Sequence, residues 1–236
     1  MNKIAFITGA SKGIGRATSL RMAVDLKYRV IAVSRNEAQL QSLKAEAFKA
    51  GGTIIPLAVD LLEQDFNPVL RLLREHSINS IDVLINNAGL LVNKPFEELQ
   101  FKDLSNSYAV NAIAPLLFVQ HLLPYLKKAE QAHIVNISSM GGFQGAAKFP
   151  GLVAYSSAKA ALVCITECLA EELKSTTVHC NCLCLGSVDT EMLKAAFPAY
   201  TAKISADEMG KYIAQFADSA YTVMNGKVIP VALSTP

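Results

Sequence analysis

The stretch that most restricts the fold is Thr8-Gly9-Ala10-Ser11-Lys12-Gly13-Ile14-Gly15, set between a short apolar run, Lys3 to Ile7, and a helix-patterned run from Arg16 to Leu26. A short apolar run ending in glycines and followed by helical periodicity spells strand, tight turn, helix. Glycine is needed where a backbone takes unusual dihedrals or comes close to a phosphate, and the helix start behind it presents free N–H groups and a positive dipole end. The turn is therefore an anion cradle, with Gly9, Ser11, Lys12, Gly13, Ile14 and Gly15 as candidate contacts.

The pattern continues as alternating strands and helices, which builds a parallel sheet. Val30 to Val33 makes a second apolar run, closed by Ser34-Arg35-Asn36, and Glu37 to Ala50 is helical in pattern. In dinucleotide folds an acidic residue at this strand end bonds the ribose 2′-hydroxyl of NAD, whereas a cation there accommodates the 2′-phosphate of NADP. This chain offers Ser34 and Arg35 with Lys12 nearby in the glycine turn, and no Asp or Glu. A third strand, Thr53 to Val59, stops at Asp60-Leu61, a place to bond an adenine edge. A helix follows around Pro68 to Glu75, and a fourth strand, Asp82 to Ile85, runs into Asn86-Asn87-Ala88-Gly89, small and amide residues that suit a turn beneath a ligand.

Phe101 to Lys128 is one long helical pattern interrupted by Pro115 and Pro124. Proline has no N–H, so the carbonyl of Asn111 loses its helical partner and needs another donor, typically an ordered water. His133 to Ser138 is a fifth strand, ending at Ser138-Ser139 and a glycine-rich loop. The helix after that loop runs to about Lys174 and carries Tyr155 and Lys159 one turn apart, on one face. A fixed positive charge beside a phenol favours the phenolate and lowers its pKa from about 10, which makes the pair a candidate general acid/base. Thr177 to Leu185 is the sixth strand, closed by Gly186-Ser187-Val188-Asp189-Thr190. Met192 to Ala206 lacks firm periodicity and suits a mobile flap; a helix to about Asp218 and a last strand, Lys227 to Val231, follow.

Composition excludes several function classes. With 236 residues and 51% hydrophobic content the chain suits a single α/β domain over residues 1–236. A net charge of +2 without a run of like charge leaves no footprint for nucleic acid or an anionic membrane, and no stretch reads as a bilayer span or signal peptide. Five cysteines without paired-motif spacing point to reduced thiols in the cytoplasm. Cys180, Cys182 and Cys184 fall on one strand face as buried packing, with no ligand pattern for a metal.

Taken jointly, Thr-Gly-x3-Gly-x-Gly, Asn87-Ala88-Gly89 with Asn86 before it, Asn111, Ser139, Tyr155 and Lys159 resemble the short-chain dehydrogenase/reductase family over essentially the whole chain. The resemblance implies a Rossmann-like, doubly wound α/β fold with a seven-stranded parallel sheet in the order 3-2-1-4-5-6-7. It also implies NADP(H) as cofactor, with Val188 and Thr190 as further contacts. The implied catalytic set is Tyr155 as proton donor, Ser139 polarising the carbonyl oxygen, Lys159 on the nicotinamide ribose lowering the phenol pKa, and Asn111 holding a water that links Lys159 to solvent. Ser139 rather than Ser138 matches the family position, three residues before Gly142. The loop Phe143 to Val153 is longer than the family's and contributes Phe143, Phe149 and Leu152 next to the substrate. Leu185-Gly186 stands where the family has Pro-Gly, and Ala232 to Pro236 replaces its Asp-Gly-Gly ending. The first bears on nicotinamide seating, the second on subunit contacts.

The expected activity is reduction by NADPH of a small-molecule carbonyl, a 3-oxoacyl thioester or a small apolar ketone, in a homodimer or homotetramer joined through the long helices. The alternatives are an alcohol dehydrogenase working oxidatively, which an acidic residue in place of Arg35 would favour, and a non-catalytic NADP-sensing protein on the same fold. Loss of Ser139, Tyr155 or Lys159 would mark the sensor, and all three are present.

Overall fold

In the computed structural model, which describes residues 3–233, seven strands form one parallel sheet in the order β3-β2-β1-β4-β5-β6-β9. They are β1 (Ile4–Thr8), β2 (Arg29–Ser34), β3 (Thr53–Ala58), β4 (Val83–Asn86), β5 (Ala132–Ser139), β6 (Val178–Leu185) and β9 (Val228–Val231). The order is the expected one. The last strand is ninth in the chain because β7 (Val188–Asp189) and β8 (Ile204–Ser205) make a separate two-stranded sheet. The altered C-terminal stretch falls at its last three positions, 234–236, outside the described residues.

The central strands are apolar on both faces because helices cover both, as parallel sheets require. One face carries α1 (Gly13–Val24), α2 (Glu37–Lys49) and α8 (Ala206–Ser219) over a core that includes Ile7, Val30 and Ile213. The other carries α3 (Asn67–Glu75), α5 (Ala114–Leu126) and α6 (Val153–Glu172) over Phe6, Leu84 and Phe118. Cys180, Cys182 and Cys184 are buried, as their alternation predicts.

Helix starts carry their own signals. The Asn36 side chain accepts from the Gln39 N–H at 3.0 Å, and Ser205 with Glu208 forms a reciprocal cap on α8. The run from Phe101 to Leu126 follows one path made of α4 (Phe101–Tyr108), a π-helical turn at Ala109–Ile113, and α5. The turn widens one position before Pro115, with the Ala114 N–H donating to the Ala109 carbonyl. Contrary to the expectation of no bilayer-length stretch, Phe101–Leu126 and Val153–Glu172 are long and apolar enough to cross a membrane by length and composition. Here that apolarity serves the core, where Phe118, Leu122 and Leu126 of α5 and Leu162 and Ala170 of α6 are buried.

The stretch expected as a flap without regular structure is instead organised as α7 (Glu191–Ala196), whose Thr190 side chain accepts from the Leu193 N–H, followed by β8. Val188 and Asp189 of β7 pair with Ile204 and Ser205 of β8, tying the base of this segment.

Candidate active site

The strand order reverses between β1 and β4, so the loops leaving their carboxyl ends diverge and open a crevice. A cavity of about 1050 Å³ lies there. Every cofactor contact expected from the sequence lines it: Gly9, Ser11, Lys12, Gly13, Ile14, Gly15, Ser34, Arg35, Asp60, Leu61, Asn87, Ala88, Gly89, Tyr155, Lys159, Val188 and Thr190. Ser139 lines it too, whereas Asn111 is buried behind the wall.

At one end the glycine turn is built against β4. Helix α1 begins at Gly13, so Gly13 and Gly15 fall in its first turn rather than preceding it as the periodicity suggested. Gly9 has φ +68°, and a Cβ on Gly15 would stand 2.3 Å from both the Gly9 carbonyl oxygen and the Asn87 amide nitrogen. Asn87 donates through Nδ2 to the Thr8 carbonyl at 3.0 Å, while Thr8 Oγ1 accepts the N–H groups of Asn87 and Ala88, each at 3.1 Å. The sequence contained Thr8 but no pattern that showed its hydroxyl gripping two backbone donors. Ser34 donates to Ser11 at 2.7 Å, linking the turn to the end of β2. Lys12 and Arg35 are exposed and form no salt bridge among the described residues. A cradle closed to side chains and a helix N-terminus fit the pyrophosphate of a nicotinamide dinucleotide, and two cations stand free beside them.

At the other end stand Ser139, Tyr155 and Lys159. Ser138 donates to the Lys159 carbonyl at 2.9 Å, while Ser139, which lines the cavity with Tyr155, accepts from the Gly141 N–H at 3.2 Å. Burial raises the Tyr155 pKa above its ordinary value, and the nearby Ser139 hydroxyl only partly opposes it. The expectation that Lys159 lowers the phenol pKa does not hold in this arrangement. Its ammonium is 6.0 Å from the ring centroid and donates instead to the Ile137 carbonyl at 2.7 Å. Burial depresses Lys159 itself to about 8, with the Cys182 and Cys184 thiols pulling the other way.

Asn111 sits beside Lys159 with Gly89 between them, since a Cβ on Gly89 would lie 3.2 Å from Asn111 Oδ1 and 3.7 Å from Lys159 Nζ. Its side chain accepts from the Leu90 N–H at 3.1 Å and donates to the carbonyls of Leu90 and Ser107 at 2.8 and 2.9 Å. Ser107 in turn donates to the Ala154 carbonyl at 3.0 Å. Asn111 and Ser107 thus lock the loop after β4 to the helix that carries Tyr155. Ser107 escaped the sequence reading, though its place one turn before Asn111 was a usable signal.

The remaining wall is apolar. Leu90 and Leu91 come from the loop after β4, Phe149 and Leu152 from the lengthened loop before α6, and Met192 and Phe197 from the α7 segment. Phe143, expected beside them, is not part of the lining and packs against the cluster of Met140, Cys182 and Cys184. Leu185, in place of the family proline, is part of the lining.

Known proteins share the sequence pattern and the fold. The short chain dehydrogenase family profile matches residues 3–201. A 3-oxoacyl-[acyl-carrier-protein] reductase from Synechocystis is 29% identical over 190 residues, 80% of this chain and 76% of that protein. A fatty acyl-CoA reductase from Acinetobacter baylyi is 32% identical over 195 residues, 81% of this chain and 64% of that longer protein. A crystal structure from Beutenbergia cavernae, assigned as an NAD(P)-dependent gluconate 5-dehydrogenase with NADP at low occupancy, superposes with a TM-score of 0.85 at 26% identity over 98% of this chain and 95% of that one. With the glycine cradle, the Asn-Asn-Ala-Gly floor and the Ser139, Tyr155 and Lys159 cluster in one crevice, the chain is a nicotinamide-dependent oxidoreductase and belongs to the short-chain dehydrogenase family.

Proposed function

We propose that the protein reduces an apolar carbonyl compound, a 3-oxoacyl thioester or a small apolar ketone, with NADPH. The observation that carries this reading is that Ser139 and Tyr155 both line a cavity whose substrate end is walled largely by apolar side chains from three loops. A carbonyl oxygen placed between the two hydroxyls accepts from both, and Tyr155 gives its proton to the oxyanion as that charge develops. Burial raises the phenol pKa, and the protonated phenol is the form a donor needs. When bound, the nicotinamide supplies the hydride. Lys159 holds the nicotinamide ribose. The Asn111 carbonyl, to which Pro115 offers no N–H, is left to hold a water on the path from Lys159 to solvent. Lys12 and Arg35 take the 2′-phosphate.

The acyl thioester class is supported by the two relatives that act on acyl carriers or acyl-CoA. The free cysteines suit a reducing cytoplasm. Assembly as a homodimer or homotetramer through α5 and α6 completes the proposal: Ile113 and Leu116 are exposed beside that face, and light scattering on the eluted protein reads the mass directly. The activity is tested by NADPH consumption against acetoacetyl and longer 3-oxoacyl thioesters, quinones, diketones and pteridines. Turnover is expected for the thioesters or apolar ketones, and none above background across the panel overturns the reading.

A further inference from the structure

The three loops that wall the substrate end meet at Asn93. Its Nδ2 donates at 2.9 Å to the carbonyl of Ala196, the last residue of α7, where the helix supplies no N–H of its own. Its Oδ1 lies against Gly151, which has φ +81° and where a Cβ would come within 2.1 Å of that oxygen. The neighbouring Lys94 N–H donates to the Gly151 carbonyl at 3.0 Å, so the loop after β4 and the lengthened loop before α6 are joined at this point. A second contact, Ser187 Oγ with Tyr200 OH at 2.9 Å, fastens the far side of the α7 segment to the end of β6. Gly151 therefore leaves the room that lets one amide bridge the other two segments.

We infer that Asn93 is a positioning residue that holds the α7 segment against the Gly151 loop and so sets the shape of the distal, apolar end of the substrate cavity. It does not itself line the cavity. Its effect reaches the substrate through Met192, Phe197, Phe149 and Leu152, which the bridge keeps in one wall. A carbonyl compound short enough to stay between Ser139 and Tyr155 does not sense this wall. One with a longer apolar tail does. The inference rests on the reductase reading only where it concerns turnover; the bridge itself is a property of the chain.

Amide exchange over residues 191–201 of the full-length protein, read by mass spectrometry, tests the bridge without any substrate. Asn93→Asp keeps the size and loses the donor, and Asn93→Ala loses both. Each is expected to raise exchange in this segment about two- to tenfold, the range set by losing one net hydrogen bond. Unchanged exchange in both variants, or an Asp variant that matches the wild type, overturns the inference. The kinetic arm uses acetoacetyl and 3-oxooctanoyl thioesters of N-acetylcysteamine with NADPH. Asn93→Asp is expected to raise KM for the octanoyl probe about two- to tenfold, leaving its kcat, the acetoacetyl KM and the Kd for NADPH within about twofold. Equal change for both probes, or a loss in kcat alone, overturns the role in shaping the distal end. If the wild type turns over neither probe, the thioester reading falls and the exchange result alone decides the bridge.

Discussion

Lys159 carries an ammonium into a place with little water, and the burial that depresses it to about 8 is also a statement about stability. Between about pH 8 and its ordinary value of 10.5 the unfolded chain binds more protons at this group than the folded one, so folding stability contributed here rises with pH across that window. Below pH 8 the full penalty, on the order of 3 kcal/mol, is present. Lys159→Met removes it, so the variant is expected to melt above the wild type at pH 7. The gap should close as pH approaches 10, and a pH-independent gap would show that the ammonium is not held at a cost. In catalysis the same group predicts a fall in kcat/KM above about pH 8 for the free enzyme. Tyr155 acts at the next atom. Removing its hydroxyl in Tyr155→Phe should leave NADPH binding intact and lower kcat about 10²- to 10⁴-fold, the usual contribution of a positioned general acid. Retention of more than about a tenth of the wild-type kcat would assign the proton to another group.

The π turn at Ala109–Ile113 is the element whose shape most affects the site, because it places Asn111 between Leu90 and Ser107 and leads into Pro115. Pro115 stands in the first turn of α5, where a missing N–H is tolerated, and directly after the widened turn whose last N–H, from Ala114, reaches back five residues to Ala109. Pro115→Ala restores an N–H for the Asn111 carbonyl and allows the path to straighten. The expected variant melts as high as the wild type or higher, binds NADPH normally, and shows lower kcat near neutral pH. A melting curve and a pH profile of kcat, taken together, separate this from a purely structural role, for which kcat would not move. Pro115 was visible in the sequence; the widened turn before it was not, because apolar periodicity does not distinguish one residue added to a helical turn. The same limit explains the α7 segment. Two-residue strands and a six-residue helix held by a bridge from Asn93 carry no periodic signal, since what orders them is contact with distant loops. The sheet strands were legible for the opposite reason: buried on both faces, they are uninterrupted apolar runs closed by small or polar residues. Ser139, Tyr155 and Lys159 were legible as residue types at set spacings. That the phenol lacks help from the lysine follows only from where the Lys159 side chain ends.

At the scale of the whole molecule the charge balance is nearly even, so selection between cofactors cannot come from a general field and must come from where single charges are left free. Six basic side chains pair with carboxylates among the described residues, including Arg16 with Glu46, Arg21 with Asp25 and Asp207, and Lys194 with Asp189. Lys12 and Arg35, at the mouth of the cavity, have no such partner among the described residues, and Asp60 across from them caps its own loop by accepting from the Leu62 N–H at 3.0 Å. A 2′-phosphate entering there meets two cations that need not be released from other contacts. Charge-assisted bonds of this kind contribute about 1.5 to 3 kcal/mol each, or roughly ten- to a hundredfold in affinity. NADPH is therefore expected to exceed NADH in kcat/KM by at least about tenfold, and Lys12→Ala and Arg35→Ala should each lower the NADPH value by roughly that factor while leaving NADH nearly unchanged. Because both side chains meet one phosphate, the double variant should lose less than the product of the two single losses. Both cations are exposed, so the preference should also shrink as added salt shortens the screening length from about 10 Å at 0.1 M to about 3 Å at 1 M. Equal kcat/KM for the two cofactors in the wild type at low salt would show that the free cations serve something other than the 2′-phosphate. A preference that persists unchanged at 1 M salt would place its origin in shape rather than in charge.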